Sequence, residues 1–493
     1  MIQARKLADP DEEPQPEPAA SFPGHLKDAS HFQGSAETLF FPQTEEQVCF
    51  LLRKAGREKK LMTVSGAGTG LTGSRVPQGG WVLSTERMNR ILRIGENSAV
   101  VQPGVSLKQL EEAVEPRGLF YPPDPGEKAA SVGGTTATNA SGPRSLKYGP
   151  TRRYIRRLRI VLPQGDLLEI RRGEQRAEGN TLELSAPDGR RVRIPLPSYR
   201  MPETKNAAGY FAAPNMDPID LFIGAEGTLG VVTEIELELL RKPEAVLSGI
   251  LFFNDEWDCF AFAQEARRME ARALEFFDSR SLAFLSQRHP DIPAGAGAAL
   301  YFQRECSADE YEPLLEEWEN RSEEFGARPS DCWFARQEEE LQFFRRLRYD
   351  LPVMVNEQAA QNGFRKLGTD LAVPDPQGRG MFKIYLQDLP GCGVEFLIWG
   401  HLGENHLHVN FLPKTPAQME KALSLYAQLA RLAVDLGGTV SAEHGIGKLR
   451  IPYLEMMVGR KGLLEMARVK KAFDPDGILN RGNIFPADLL NDA

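Results

Sequence analysis

An α+β fold of more than one domain is what this sequence predicts, on three observations. At 493 residues the chain exceeds what one hydrophobic core organises, so about two or three domains are expected. Short helical periods alternate with short strand-like runs along most of its length. Between them lie glycine-rich loops nearly free of large side chains, suited to close approach of backbone to a ligand.

The elements follow in order. Residues 1–34, with the acidic, proline-rich run Asp9 to Ala20, read as a disordered tail and not as an export signal. Thr44 to Lys59 has helical periodicity, and Leu61 to Val64 reads as a strand feeding the first glycine loop. Ser106 to Glu115 reads as a helix capped by Ser106 and stopped by Pro116, Arg117 and Gly118. Leu158 to Leu162 and Leu167 to Arg171 are expected strands joined by Pro163, Gln164 and Gly165, with another from Val231 to Leu240. Near Arg241 to Val246 the glycine motifs stop and aromatic and acidic residues increase, which marks a boundary. Beyond it, strand-like Leu247 to Phe253 and Ala299 to Gln303 alternate with helices at Glu256 to Glu270 and Glu310 to Phe325. A long helix from Ala417 to Leu436 and helical segments reaching Phe473 close the chain.

Composition excludes several classes. No apolar run approaches the roughly 20 residues of a spanning helix. A net charge of -9 argues against general nucleic-acid affinity, and Arg152, Arg153, Arg156, Arg157 and Arg159 read as a solvated strand face. Five dispersed cysteines, without C-x-x-C, exclude iron–sulfur and zinc-ribbon spacings and fit a reducing, cytoplasmic setting, at most peripheral to a membrane.

Gly400 to Asn410 reads G-H-L-G-E-N-H-L-H-V-N, so three of seven histidines fall within eight residues. Alternating apolar segments on both sides predict a hairpin. With Glu404 and Asn405 as a two-residue loop, His401 would oppose His408 on one face, close enough to share a metal ion. Glu443 and His444, in a glycine-rich loop, offer a further ligand. Two imidazoles and one carboxylate with an open position match a catalytic divalent-metal site. Hydrogen-bonded histidines on a strand face are the alternative.

Ser65 to Gly73 reads S-G-A-G-T-G-L-T-G, and its G-x-G-x-x-G does not open a helix directly, which argues against a Rossmann nicotinamide site. Its consecutive free N–H groups still suit a pyrophosphate. Pro125 to Gly149 and Gly224 to Glu234 are two further small-residue stretches, and Phe473 to Phe485 reads F-D-P-D-G-I-L-N-R-G-N-I-F.

Together these motifs resemble the vanillyl-alcohol oxidase superfamily, with its p-cresol methylhydroxylase-type FAD fold. The C-terminal motifs resemble its FAD-linked oxidase branch of glycolate oxidase flavoprotein subunits, D-lactate dehydrogenases and D-2-hydroxyglutarate dehydrogenases. The resemblance implies an FAD-binding domain of two α+β subdomains at 35–243. It implies an α+β substrate (cap) domain with an antiparallel sheet at 244–415, and a helical region at 416–493 completing the site. For FAD it implies Ser65, Gly66, Ala67, Gly68, Thr69 and Gly70 at the pyrophosphate, bordered by Pro103 and Gly104. Ser131, Gly133, Gly134, Thr136 and Asn139 would line the flavin and ribityl, Glu226, Gly230 and Val231 the adenosine or flavin edge, and Asn480 the flavin. Thr69 replaces the histidine that some relatives bond to FAD, so the cofactor is expected to be non-covalent.

The resemblance further implies a metal, zinc, manganese or iron, on His401, His408 and Glu443, with His444 as general base. Arg345, Arg346 and Arg348 are candidate carboxylate clamps, with Arg348 matching a family L-R pair. His406 replaces a polar asparagine of the usual pattern, and a lysine expected near Thr369-Asp370 is missing, for which Lys366 is the nearest substitute. The expected reaction is oxidation of a D-2-hydroxy acid, reoxidation passing to a protein, quinone or small carrier, and a homodimer is compatible with it. Another alcohol, or the non-redox ether-lipid synthase chemistry of the same fold, is the alternative. A metallohydrolase would leave the glycine loops unused, and a flavin-storage protein would leave Glu443 and His444 unused.

Overall fold

The computed structural model describes residues 2–189 and 191–493. Three large sheets organise the described residues, beside a two-stranded pair of Leu119–Phe120 and Leu240–Arg241. In the first, Glu17–Pro18, Thr38–Phe40, Trp81–Ser84 and Met62–Ser65 lie side by side, the last three parallel. The helix Glu45–Glu58 starts where the Thr44 side chain accepts the Gln47 N–H, as an N-cap does. Its Val48, Leu51, Leu52 and Ala55 are fully buried in a cluster with Trp81, Leu83, Val161 and Leu167. That face joins the first sheet to the second.

The second sheet has eight strands in the order Arg191–Pro195, Thr181–Ser185, Ile2–Lys6, Asp166–Arg171, Ile155–Val161, Val231–Glu238, Ser98–Val101 and Ile91–Ile94. The strand Ile2–Lys6 corrects the expected disordered tail. It runs antiparallel to Asp166–Arg171 and parallel to Thr181–Ser185, with Ile2 and Ala4 buried. The acidic run that suggested disorder begins only at Asp9, whereas the first residues alternate inward and outward as a strand does. The arginine stripe is also corrected. Val231–Glu238 lies antiparallel to Ile155–Val161 and sets Glu236 opposite Arg157 and Glu234 opposite Arg159. Arg157 accordingly pairs with Glu236 at 3.1 Å, and Arg152 with Asp220 at 3.1 Å. Arg152, Arg156, Arg157 and Arg159 are thus engaged in ion pairs, while Arg153 of the stripe stays exposed.

The third sheet is antiparallel: Trp333–Phe334, Ala245–Phe253, Ala298–Cys306, Ala273–Asp278, Phe396–His401, His406–Phe411 and Leu367–Gly368, with Leu371–Ala372 also on His406–Phe411. The hairpin forms, but not in the expected register. Leu402–Glu404 make a 3-10 turn and Asn405 is left-handed (φ 51°), so His401 opposes His406, and His408 opposes Trp399. The buried Leu402 and the bond from Asn405 Nδ2 to Asp375 Oδ1 (2.8 Å) hold this longer turn. A slip of two residues leaves every side chain on its face, so the three histidines still point together. The helix Glu338–Gln361 packs Phe344, Leu347, Leu351 and Val355 into a cluster with this sheet.

Ile2→Ala should destabilise the protein by about 2–5 kcal/mol, the range for truncating a buried isoleucine. A denaturant midpoint equal to that of the parent protein would place the first strand outside the core.

Candidate active site

The glycine loops and the histidine hairpin open into one cavity of about 1320 Å³, above the range of roughly 300–1,000 Å³ typical of single drug-sized ligands. At one end the loop after Met62–Ser65 is held through its carbonyls. Arg75 donates to Gly66 O (2.7 Å) and Lys27 O (2.9 Å), and Ala29 N donates to Gly68 O (3.1 Å). Because a trans peptide sets N–H opposite C=O, the N–H groups of Ala67 and Thr69 are turned the other way. Among the described residues, the N–H groups of Ala67, Gly68, Thr69 and Gly70 donate to no protein acceptor. Glycine is required at 68 by a φ of 84° and by Arg75, whose Cζ would lie 2.3 Å from a Cβ there. These four residues line the cavity, and their unpaired donors suit a cradle for an anionic group such as a pyrophosphate.

Facing that loop, Ser131, Gly133 and Gly134 begin the short helix Val132–Thr138, and a Cβ on Gly133 would meet Pro103 Cβ at 2.5 Å. Pro103, Gly230 and Asn480 also line the cavity. Ser65, Gly104, Thr136, Asn139 and Val231 do not; they support the wall from behind. Asn139, for example, accepts from Arg152 N (2.9 Å) and donates to Asn206 O (3.2 Å). The Asn480 amide is likewise taken by the backbone, accepting from Val64 N (2.7 Å) and donating to Glu226 O (2.6 Å). Glu226 reaches the wall, but its carboxylate accepts from Ile446 N (2.7 Å), Gly447 N (2.8 Å) and the Ser74 hydroxyl. That carboxylate ties down the C-terminal loop.

At the other end, ligand atoms of His401, His406, His408 and Glu443 lie within 4.8 Å of one another. Gly400 (φ 132°) makes room, since a Cβ there would approach His408 Cδ2 to 3.0 Å. His408 Nδ1 donates to Thr369 O (2.8 Å), which fixes its proton on Nδ1 and leaves Nε2 3.3 Å from Glu443 Oε1. His401 Nδ1 lies 2.5 Å from Glu275 Oε1, and its Nε2 is 3.4 Å from Glu443 Oε1. Burial would raise the Glu275 pKa, but Arg348 and His401 bring it down to about 2. Burial would likewise lower His401, yet Glu275 lifts it to about 9. Its Nε2 proton is the one a divalent ion would displace. Imidazoles anchored through Nδ1, with Nε2 converging on a carboxylate, fit a divalent ion.

His406 differs. Its Nε2 lies 3.0 Å from Asp370 Oδ1, while burial and the neighbouring His408 push its pKa down to about 3, so it is neutral. The Asp370 carboxylate, fully buried, also accepts from Ser441 Oγ (2.8 Å), His444 N (3.0 Å) and Arg450. His444 Nδ1 stands 3.1 Å from Asp370 Oδ2 without hydrogen-bond alignment, and Nε2 is 3.7 Å from Glu443 Oε1. Its ring lines the cavity.

The comparisons agree with this architecture. Residues 36–171 match the FAD binding domain model, and residues 242–484 match the C-terminal domain of FAD linked oxidases. Glycolate oxidase subunit GlcD of Bacillus subtilis is 30% identical, over 93% of this chain and 90% of that protein. The chain belongs to the FAD-linked oxidase family. It is an FAD-dependent oxidoreductase. D-lactate dehydrogenase of Anaerostipes hadrus (30%) and D-2-hydroxyglutarate dehydrogenase of Stutzerimonas stutzeri (29%) each align over 93% of this chain and 92% of their own length. Alkyldihydroxyacetonephosphate synthase superposes with a TM-score of 0.61 at 17% identity, over 91% of this chain and 76% of that one, which shows the shared fold alone. No helix among the described residues is long and apolar enough to cross a membrane.

Arg348 and Lys366 both line the cavity. Arg348 donates Nε–H to Glu275 Oε2 (2.8 Å), so one carboxylate orients both the guanidinium and His401. Arg345 instead pairs outside with Glu338 at 3.8 Å. Lys366 has no anionic partner among the described residues, stands 5.8 Å from the Trp399 ring centre, and is pushed by burial down to about 8. Sequence reasoning missed Glu275, Asp370 and Lys205. The signal for Glu275 was present: a lone glutamate inside the apolar strand A-L-E-F-F-D, where burial demands a partner.

Glu275→Leu should cost about 3–5 kcal/mol, as expected when one partner of a buried ion pair is removed, because Arg348 and His401 lose their shared acceptor. Equal unfolding midpoints for parent and variant would show that the carboxylate does not organise them.

Proposed function

We propose that this FAD-dependent enzyme oxidises a D-2-hydroxy acid, of the lactate, glycolate or 2-hydroxyglutarate type, to the 2-oxo acid. The supporting observation is the meeting, in one cavity, of an anion cradle, a His–His–Glu cluster and two cations, Arg348 and Lys366. A hydroxy acid needs those cations for its carboxylate and the cluster for its hydroxyl. The relatives named above support the substrate class.

FAD bound along the Ala67–Gly70 cradle supplies the two-electron oxidant, and a divalent ion held by His401, His408 and Glu443 supplies Lewis acidity that lowers the hydroxyl pKa. The chain does the rest. The free Nη atoms of Arg348, steadied by Glu275, bind the carboxylate, with Lys366 adding positive charge. His444, whose Nδ1 stands 3.1 Å from Asp370 Oδ2, accepts the hydroxyl proton on Nε2 as general base. The proposed division is 35–243 for FAD, joined by the strands Ile2–Lys6 and Glu17–Pro18 that pair within its sheets, with 244–415 for the cap and 416–493 for the segment that completes the site.

The decisive measurement is rapid mixing of the yellow protein with a panel of D- and L-2-hydroxy acids. Bleaching by one or more D-acids is expected, and a flavin that none of them reduces would end this reading. His444→Ala should slow bleaching by about 10²–10⁴-fold, the usual worth of a general base, while FAD content is unchanged; a variant reduced at the parent rate would remove His444 from proton transfer.

FAD attachment is proposed to be non-covalent, since Thr69 faces the cradle and none of the five cysteines lines the cavity. Acid precipitation should leave all yellow colour in the supernatant, and colour in the pellet would contradict this.

A further inference from the structure

Lys205 is a buried cation that the reaction above does not use. Its side chain is 2% exposed, and Nζ lies 3.1 Å from Glu443 Oε2 and 3.3 Å from Glu404 Oε2. Its loop is stitched to the segment that bears Glu443: Ala207 N donates to Ser441 O (2.9 Å), and Thr439 Oγ1 donates to Asn206 Oδ1 (2.5 Å). One backbone bond and one side-chain bond, both just after Lys205 in the chain, thus hold its loop beside the Glu443 segment. The other buried carboxylates of the site have their own cations, Arg348 for Glu275 and Arg450 for Asp370. Among the described residues, Lys205 is the only lysine or arginine within ion-pair reach of Glu443.

The two Glu443 oxygens have different surroundings. Oε1 is shared between the imidazoles, 3.3 Å from His408 Nε2 and 3.4 Å from His401 Nε2. Oε2 makes no hydrogen bond; it forms an ion pair with Lys205 Nζ at 3.1 Å, with His401 Nε2 also at 3.3 Å. We propose that Lys205 is a positioning residue that engages Glu443 Oε2, so that Glu443 offers a metal ion one oxygen and a coordination position stays open for the substrate hydroxyl. The inference rests on the metal reading proposed above.

The chemistry fixes the direction of the effect. A carboxylate that also binds an ammonium donates less charge to a metal, and the ammonium repels a dication a few ångströms away. Lys205 therefore weakens metal binding while keeping the site open. Its removal frees Oε2, removes the repulsion and tightens the ion. A residue with a merely structural role would give the opposite sign, since a disordered site loses its metal.

The test is Zn²⁺ affinity of the FAD-loaded protein, read by competition with a fluorescent chelator, for the parent and Lys205→Met. At least tenfold tighter binding by the variant is expected, with unchanged FAD content. Equal or weaker binding at full FAD content would overturn the proposal. Should Lys205→Met lose its flavin, Lys205→Gln keeps the chain length without the charge, and the same tightening is required of it. A parent protein that binds no Zn²⁺, Mn²⁺ or Fe²⁺ would instead remove the metal reading itself, and this inference with it.

Discussion

The Asp370 carboxylate holds the catalytic end of the molecule together. It has no exposed surface, and it gathers His406 from the cap hairpin, Ser441 and His444 from the C-terminal loop, and Arg450 beyond it. Burial would raise its pKa, but His444, Arg450 and the bond from His406 keep it well below the ordinary carboxylate range. A charge buried so completely is tolerable only when fully partnered. The same requirement constrains the loop geometry: moving His444 would take its backbone N–H away from a buried anion that otherwise keeps Arg450, Ser441 and His406.

Glu226 performs the corresponding task toward the flavin half. Its backbone is left-handed (φ 50°) and its carboxylate receives Ile446 N and Gly447 N. The C-terminal loop is thus pinned from both sides, by Asp370 of the cap region and by Glu226 of the glycine-loop region. Residues more than two hundred positions apart converge on one cavity for this reason. Precise placement of a first set of groups by a second is what a site for oriented chemistry requires.

Local structure was legible where it depended on local chemistry. The Ser106 cap, with its reciprocal Gln109 bond, and the helix that follows Thr44 appear where the sequence puts them. So does the turn at Gly165, whose φ of 78° suits glycine and whose N–H reaches Leu162 O at 2.8 Å. The first strand was not legible, because five residues owe their conformation to two partners at Asp166–Arg171 and Thr181–Ser185. The hairpin register was misplaced because Glu404 and Asn405 resemble a tight turn, whereas the burial of Leu402 is a tertiary fact.

By itself the sequence determined the donor set: glycine loops with free N–H groups, clustered imidazoles, and a glutamate beside a histidine. Residue type and spacing fix which groups exist and on which face of a strand they lie. Only the tertiary structure decided what each group does. It turned the carboxylate of Glu226 and the amide of Asn480 into braces, bonded His406 to Asp370, and left Nε2 of His401 and His408 converging on Glu443. Function of a polar side chain depends on which partners its other atoms already have, and those partners come from distant parts of the chain.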